Sequence, residues 1–306
     1  MRLTRRKFIR NASAGAALVA APQMVWSSDQ VALGSMQIQT LSDGYLSLPF
    51  DFIFGPMPSD VVVPILGEYE IGNGPLMPEC NVTLMQDGTR TVLFDTGSGT
   101  GFQDSAGLLI DALDMAGVAP EDVTHVVFTH CHPDHLWGVL DDFDDPLFTE
   151  ATYLMGRAEW DYWWNSETVD TIEPARTTMA IGAKRRMEMI EDAVTFFDDG
   201  EEILPGVAAR ASYGHTPGHM AFELRQGSDS VMVVGDAIGN HHVAFAAPQL
   251  ESGSDQDRAI AVATRLSLLD QLAADKTRLI GYHLPGGGMG HVERKGDVYR
   301  FVPDGA

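Results

Sequence analysis

Residues 129–135 read Thr-His-Cys-His-Pro-Asp-His, which places four potential metal ligands within six positions. The preceding segment, Val123-Thr-His-Val-Val-Phe-Thr129, is apolar and β-branched, so it predicts a buried strand that ends at the ligands. Pro133 cannot continue a strand ladder, and we expect a turn or the start of a helix at Asp134 and His135. Three imidazoles and a carboxylate crowd one small ion but suit two adjacent ions. The stretch therefore predicts a dinuclear metal site.

The donor types indicate which metals suit such a site. Neutral imidazole and carboxylate are the usual ligands of zinc, and they also suit iron, manganese or cobalt. The alternative is a histidine-rich surface loop without a metal. This spacing would rarely arise by chance in a chain with 10 histidines. We therefore expect two divalent ions per chain, with zinc preferred.

Further candidate ligands follow downstream, each at the end of a predicted strand or in a loop beside one. The segment Gly214-His-Thr-Pro-Gly-His219 supplies His215. Two buried-strand patterns end in ligand types, Val231-Met-Val-Val-Gly-Asp236 and Leu279-Ile-Gly-Tyr-His283. The ends of neighbouring strands would bring these side chains to the same place.

These motifs resemble the His-x-His-x-Asp-His motif, later histidine, bridging aspartate and last histidine of the metallo-β-lactamase-fold hydrolases. The resemblance runs from about residue 38 to the C-terminus. In the stretch from Asp236 to Pro303 it is closest to the branch that contains methyl parathion hydrolase and related lactonases, through Pro248-Gln, Ala263-Thr-Arg265 and the segment 283–291. It implies an α/β fold, a four-layer αβ/βα sandwich.

The resemblance also implies a role for each matching residue. One metal would be held by His130, His132 and His215, the other by Asp134, His135 and His283, with Asp236 bridging. Such sites bind a hydroxide between the ions. His219 is expected to support the loop that carries His215.

The segment Val92-Leu-Phe-Asp-Thr-Gly-Ser98 allows two interpretations. It looks like the catalytic turn of an aspartic protease, which needs two carboxylates that share a proton. A second Asp-Thr-Gly or Asp-Ser-Gly is absent from the sequence. In the metallohydrolase family a strand also ends in Asp-Thr-Gly, and there the aspartate orients a ligand histidine, so Asp95 is predicted to support the metal site.

The predicted activity is hydrolysis of a neutral ester, lactone or phosphotriester by metal-bound hydroxide. Asp134 would act as both ligand and proton shuttle to the leaving group. A glyoxalase-II-like thioester hydrolase is the alternative enzyme, and a non-catalytic metal-binding protein is the alternative class. Lactonases often have a tyrosine three residues after the bridging aspartate, where this chain has Gly239. His241 or His242 would have to replace that donor.

Phe50, Phe52 and Phe54 alternate in an early segment flanked by proline and glycine. On an extended backbone their rings would lie on one side. They are predicted to line an apolar substrate pocket, with an oligomer contact as the alternative.

A second aromatic group, Trp160, Trp163 and Trp164, has helical spacing and would occupy one helix face. Core packing is the favoured role, with a pocket wall or a subunit contact as alternatives. A homodimer is thus left open.

The N-terminus has the features of an export signal. Basic residues, among them the pair Arg5-Arg6 followed by Phe8, precede a short apolar run from Asn11 to Ala21. That run is too short for a membrane span. The pattern resembles a twin-arginine signal, so we predict a signal peptide at residues 1–28, a hydrolase domain at residues 29–306, use of the twin-arginine export machinery and a periplasmic location without a membrane anchor after processing.

Charge narrows the choice of partners. Residues 1–28 carry five basic and no acidic side chains, so their removal takes the formal charge from −23 to −28. Such a surface repels phosphate backbones, which argues against nucleic acid and favours a small-molecule substrate. The two cysteines, Cys80 and Cys131, imply no disulfide framework. Cys131 lies between two candidate ligands, and alternation along an extended backbone should turn its side chain away from the metals.

Hydrophobic periodicity predicts the remaining elements in outline. Strands are expected at Met36–Leu41, Val61–Leu66, Asn81–Met85, Thr91–Phe94, Val207–Ser212, Met220–Leu224 and Val231–Val234. Helices are expected at Gly107–Ala116 and Gln256–Ala274, and strand and helices within residues 147–200.

Overall fold

Two sheets of seven strands organise the described part of the chain, which in this computed structural model is residues 30–305. The first sheet contains β1 (Gln30–Leu33), β2 (Met36–Tyr45), β3 (Glu79–Gln86), β4 (Thr91–Phe94), β5 (His125–Val127), β6 (Thr152–Gly156) and β7 (Val194–Phe197). The second contains β8 (Glu202–Leu204), β9 (Val207–Ala211), β10 (Met220–Gln226), β11 (Asp229–Gly235), β12 (Arg278–Gly281), β13 (Met289–Lys295) and β14 (Val298–Pro303). The predicted signal peptide lies outside the described residues.

The strands lie in chain order across each sheet. In the first sheet β1 to β4 pair antiparallel, whereas β4, β5, β6 and β7 pair parallel. In the second sheet only the pair β11 and β12 is parallel. Parallel neighbours end at the same sheet edge, so the loops after β4 and β5 lie together, and so do the loops after β11 and β12. Strand β9 runs in the same direction as β11, so the loop after β9 lies at that edge too.

Helices occupy the connections. They are α1 (Phe50–Phe54), α2 (Ser59–Glu68), α3 (Leu109–Met115), α4 (Pro133–Leu136), α5 (Arg157–Trp164), α6 (Thr168–Thr171), α7 (Thr177–Ile190), α8 (Val243–Ala246) and α9 (Arg258–Asp275). Short 3₁₀ turns lie at Pro120–Asp122, Trp137–Val139, Pro174–Arg176 and Glu191–Ala193. Within residues 30–305, none of the helices is long and apolar enough to cross a membrane.

Three apolar layers show how the sheets and helices stack. Successive side chains of a strand point to opposite faces. In β11, Val231 and Val233 therefore pack between the two sheets, while Met232 and Val234 pack outward with Leu269 of α9. On the far side of the first sheet, buried side chains of β3 and β5 meet those of α3, α5 and α7. The predicted four-layer αβ/βα sandwich is confirmed.

One strand prediction is wrong. Val61–Leu66 lies within α2, although its β-branched run favours a strand. Val62 and Leu66, four positions apart, are both 2% exposed, whereas Val63 is 55% exposed. Burial therefore follows a helical repeat, and tertiary packing of one helix face outweighs the local β propensity.

The expectation of an extended segment at Phe50, Phe52 and Phe54 is also wrong. These residues form α1, a short helix that follows Pro49. Only Phe52 lines the cavity described below. Phe54 is 3% exposed and packs in a small core with Val62, so it is part of the interior.

The other element predictions agree with the structure to within a few residues, among them the strand before the ligands and the helix at Gln256–Ala274. The tryptophans lie on α5, where Trp160 and Trp163 are buried in the core and Trp164 packs against it. Core packing, the favoured role, is confirmed for these side chains.

Candidate metal centre

All seven candidate ligands meet at one place between the ends of the two sheets. His130, His132, Asp134 and His135 lie on the loop after β5 and on α4, which begins with Pro133 at its first turn. Asp236 follows β11 directly and His283 follows β12 by two residues. His215 lies on the loop between β9 and β10. Each candidate is at most 8% exposed.

Three imidazole nitrogens form a first group. His132 Nδ1 is 3.0 Å from His130 Nε2 and 2.9 Å from His215 Nε2. Ligand atoms of a tetrahedral zinc ion, with bonds of about 2.0–2.1 Å, lie roughly 3.3 Å apart. The three nitrogens are therefore spaced as one ion requires.

Asp134, His135 and His283 form a second group, with Asp236 between the two. His283 Nε2 is 3.2 Å from Asp134 Oδ2 and 3.2 Å from Asp236 Oδ2, and His135 Nε2 is 3.4 Å from a carboxylate oxygen of each aspartate. Asp236 Oδ2 also lies 3.3 Å from His215 Nε2 of the first group. A carboxylate in this position can bridge two ions.

Unpartnered buried atoms test whether metals fit. Asp134 Oδ2, His135 Nε2 and Asp236 Oδ1 are buried and have no hydrogen-bond partner among the described residues. Buried polar atoms are rarely left unpaired, because the lost solvation is costly. Two belong to the second group and the third to Asp236, and His135 Nε2 lies 3.4 Å from each of the two oxygens, so a cation there would satisfy all three.

Burial also sets the protonation of two members of the first group. It lowers the pKa of His130 and of His132 well below the usual value of 6.5. Both rings are therefore neutral at physiological pH, and neutral imidazole is the form that binds metal.

Asp95 holds two candidate ligands in orientation. Its Oδ2 is 2.7 Å from His135 Nδ1, and it accepts hydrogen bonds from the backbone and hydroxyl of Thr129. The Thr129 hydroxyl is in turn 3.0 Å from His130 Nδ1. Asp95 has a φ of +69°, a strained backbone for a residue other than glycine. The structure places Asp95 where the sequence predicted it and adds Thr129, which the sequence analysis missed.

His215 and His132 have partners that the motifs did not reveal. Asp255 Oδ1 is 3.0 Å from His215 Nδ1, and Arg265 contacts the other oxygen of Asp255 at 3.3 Å. Metal binding through His132 Nδ1 leaves the proton on Nε2, which lies 3.2 Å from the side-chain amide nitrogen of Gln256. Both atoms are then donors, so an acceptor for His132 requires the Gln256 amide to be turned so that its oxygen faces the ring. Such partners fix the orientation and tautomer of ligand histidines.

His283 and His219 use their second nitrogens differently. His283 Nδ1 lies 2.7 Å from the carbonyl oxygen of Glu79, so its Nε2 is left for the second group. His219 Nδ1 is 2.7 Å from Ser212 Oγ, and its Nε2 accepts a hydrogen bond from the backbone N–H of Asp236 at 3.1 Å. Both nitrogens of His219 are thus engaged with protein, and the ring supports the backbone that carries Asp236.

The two cysteines are free and buried. Cys131 turns away from the metal groups, with Sγ 3.6 Å from Met155 Sδ. Cys80 lies beside the second group, within 4.8 Å of the ligand atoms of Asp134 and His283. Burial raises the pKa of the Cys80 thiol to about 12, so it is a neutral thiol next to the site.

A cavity of about 450 Å³ opens onto both groups. Its walls are largely apolar and come from α1, from the loop after α2 and from the segment that follows β2. The apolar wall residues include Leu46, Leu48, Phe52, Ile53, Ile71 and Leu76. His132, Asp134, His215, Asp236 and His283 line its floor. A pocket of this size and character suits a small organic molecule that reaches the metal groups.

The cavity wall after Asp236 contains the predicted substitutes for the missing tyrosine. Gly239, Asn240, His241 and His242 all line the cavity. His242 Nδ1 accepts a hydrogen bond from the backbone N–H of Val243, and burial lowers the pKa of His242 to about 3. The neutral ring therefore has its proton on Nε2. Asn240, which the sequence analysis did not single out, accepts from Ala244 and keeps its amide N–H groups as potential donors.

The sequence matches the Metallo-beta-lactamase superfamily over residues 78–283, more than half of the chain. The chain therefore belongs to this superfamily. A segment of 96 residues is 41% identical to the Xenopus laevis "Metallo-beta-lactamase domain-containing protein 1", covering 31% of this chain and 35% of that protein. The alignment thus spans about a third of that relative's length.

Solved structures show the same fold. AidC, a dizinc quorum-quenching lactonase in complex with a product, superimposes with a TM-score of 0.85 at 24% identity, over 92% of this chain and 98% of that chain. The hydrolase AbOPH, of the beta lactamase superfamily, gives a TM-score of 0.84 at 26% identity with the same coverage.

Proposed function

We propose that this protein is a hydrolase that uses two divalent metal ions, most simply zinc, to cleave an ester, a lactone or a phosphotriester. The observation that carries the proposal is the pairing of the two ligand groups, shared through Asp236, with the floor of an apolar cavity. The likeness to a dizinc lactonase supports the same conclusion.

The residues of the chain divide the work. Two divalent ions held by the two groups would supply an activated water and would polarise the oxygen of the scissile group. Asp134 lies on the cavity floor, so it can accept the proton of the water and pass it to the leaving oxygen. The neutral His242, with its proton on Nε2, and the amide of Asn240 are the wall groups able to donate to developing negative charge. Gly239 contributes no side chain there.

The character of the cavity indicates which substrates enter. Phe52 and Ile53 from α1 and Pro285 after β12 give apolar walls, and the whole chain is strongly acidic at −23. An apolar cavity in an acidic protein favours an uncharged substrate over an anion. We therefore expect lactones, aryl esters or phosphotriesters to react faster than phosphomonoesters or glutathione thioesters.

The test compares kcat/KM for one uncharged lactone, one aryl phosphotriester, one phosphomonoester and one glutathione thioester, at a single pH and metal content. The expected result is a preference for the two uncharged substrates. Preference for the anionic pair would remove the argument from the cavity walls.

Arg176 favours a second candidate, thioester hydrolysis of an anionic substrate. It is 2% exposed, donates to the carbonyls of Gly253 and Ser254, and is the one arginine among the described residues that line the cavity. If anions are the substrates, Arg176→Met should lose them selectively. Arg186→Met is the matched control, because Arg186 also bonds to backbone carbonyls but lies outside the cavity.

The hypothesis of a non-catalytic metal-binding protein explains the structure less well than the hypothesis of an enzyme. The cavity of about 450 Å³ over the ligand groups has no purpose in a protein that only stores or senses an ion.

A further inference from the structure

Glu159 is a buried carboxylate to which the proposed chemistry assigns no task. It lies near the start of α5 and is 1% exposed. A buried carboxylate is costly unless its oxygens accept hydrogen bonds, so its partners indicate its role.

Each oxygen of Glu159 serves a different loop. Oε1 accepts from the backbone N–H of Cys131 at 2.8 Å, between the ligands His130 and His132. Oε2 accepts from the hydroxyl of Thr216 at 2.7 Å and from the backbone N–H of Gly218 at 3.0 Å, just after His215. The carboxylate is therefore a bridge between the loop after β5 and the loop between β9 and β10.

The surroundings hold this bridge in place. Trp163, one turn later on α5, donates its indole N–H to Oε1 at 2.6 Å. A Cβ at Gly218 would lie 2.1 Å from the backbone nitrogen of Glu159, so only glycine lets the second loop pack this closely on α5. One backbone hydrogen bond, from Met220 N at the start of β10 to the Thr129 carbonyl at 2.9 Å, also joins these two parts of the chain.

We propose that Glu159 is a positioning residue that sets the spacing between His130, His132 and His215, and with it the affinity of the first metal ion. The proposal rests on the dinuclear site of the proposed function and goes beyond it, because it concerns the assembly of three ligands from the two halves of the chain. It depends on no particular substrate.

The test variant is Glu159→Gln, which keeps the shape of the side chain. The amide keeps one acceptor oxygen and gains a donor. With the oxygen on Cys131 and Trp163, the Thr216 hydroxyl can turn to accept from the amide, but the Gly218 N–H loses its acceptor. In the other orientation, Cys131 and Trp163 lose theirs. The apoprotein is titrated with Zn(II) against a competing chelator, and the visible spectrum of the Co(II)-loaded protein reports the ligand geometry. We expect affinity for one of the two ions to fall roughly 10–100-fold, the range for loss of a residue that orients ligands, with an altered Co(II) spectrum.

Two further variants separate positioning from general destabilisation. Leu269→Ala empties part of the core beneath the second sheet, where Leu269 is fully buried, and lowers Tm without touching either loop. It should leave the Zn(II) affinities and the Co(II) spectrum unchanged. Trp163→Phe removes one donor to Glu159 but keeps both hydrogen-bonded links of Glu159 to the loops and an aromatic ring beside His132. It should weaken binding far less than Glu159→Gln.

Wild-type affinity and an unchanged Co(II) spectrum in Glu159→Gln would overturn the proposal, as would equal changes in Leu269→Ala at a similar loss of Tm. Failure of the proposed function looks different: the wild-type protein would bind fewer than two ions, or would bind both and turn over none of the substrates.

Discussion

His132 lies between the other two histidines of the first ligand group. Its Nδ1 lies within 3.0 Å of nitrogens from His130 and His215, and its Nε2 faces Gln256. The chain offers a matched control in His291, whose side chain is 40% exposed and which contacts Asp304, away from the site.

We predict that wild-type protein contains about two metal ions per chain and that His132→Ala loses metal and activity together. Loss of a direct ligand should reduce activity by more than about 100-fold, since even residues behind the ligands contribute 10–100-fold. Elemental analysis and kinetics on the same preparations provide the measurement, with His291→Ala unchanged in both. A wild-type ratio near one ion at full activity would rule out the dinuclear mechanism.

Asp43 makes the stability of the fold depend on pH. It is fully buried and accepts backbone hydrogen bonds from Ser98, Gly107 and Leu109. Burial raises the pKa of this carboxyl from 3.8 to about 6, despite those bonds. The folded protein then holds the proton more tightly than the unfolded chain. The stabilising contribution is present below pH 3.8 and is lost as the pH rises toward 6.

The predicted measurement is the difference in free energy of unfolding between wild type and Asp43→Asn. This difference should move against the wild type by up to about 3 kcal/mol between pH 4 and 6.5, then level off. Urea unfolding at several pH values gives the values, and metal loss at low pH affects both proteins alike. A difference independent of pH would show that Asp43 does not titrate in this window.

At the scale of residues, the ligands could be predicted but many of their supports could not. His130 to His135 lie within six positions, so local spacing alone reveals them. Asp255 contacts a ligand 40 positions away, and Glu159 reaches Cys131 and Thr216 across 28 and 57 positions. Such contacts depend on how loops meet in three dimensions, so no local pattern of residues predicts them.

The loop that carries His215 is pressed against the start of α9. Gly214 has a φ of +121°, and a Cβ there would lie 2.2 Å from the backbone nitrogen of Ala261. Gly227, in the turn between β10 and β11, also has a positive φ, of +63°, but nothing lies within 4 Å of its Cβ position. Comparing alanine substitutions at the two glycines therefore distinguishes the cost of backbone strain from the cost of steric overlap.

We predict that Gly227→Ala costs about 1–2 kcal/mol of unfolding free energy, from the left-handed backbone alone. Gly214→Ala should cost more, on the order of 3 kcal/mol or above, because strain and overlap add, and it should lower the metal content by displacing His215. Urea unfolding and elemental analysis measure both. Equal costs would mean that the loop can move away from α9 freely.

At the scale of elements, strands and long helices could be predicted because their apolar side chains repeat over many residues. The helix at Gln256–Ala274 and the strands before each ligand are examples. The predictions of an extended loop at Phe50–Phe54 and of a strand at Val61–Leu66 are wrong, because alternating Phe residues and a run of Val also fit an extended backbone. The helices are stabilised by a small core that the two segments share and that contains Phe54, Val62 and Leu66. That core brings them against Val243, far away in sequence.

At the scale of the whole molecule, we propose that the N-terminal region directs export of the protein to the periplasm. Arg5 and Arg6 precede the apolar run Asn11 to Ala21, as in twin-arginine signals. Changing both arginines to lysine keeps the charge, and we predict that it blocks export to the periplasm. Fractionation of expressing cells is the measurement. Equal export of the lysine variant would favour ordinary secretion.

The order of strands in the two sheets has a consequence for how metal affects the stability of the protein. The first sheet and its loops supply His130, His132, Asp134 and His135, and the second supplies His215, Asp236 and His283. Neither ligand group can be completed by one half of the chain. Ions bound as proposed would link the two halves of the chain in addition to the apolar core between the sheets, so metal should raise the free energy of unfolding of the whole fold. We therefore expect Tm to rise with metal concentration in a single unfolding transition.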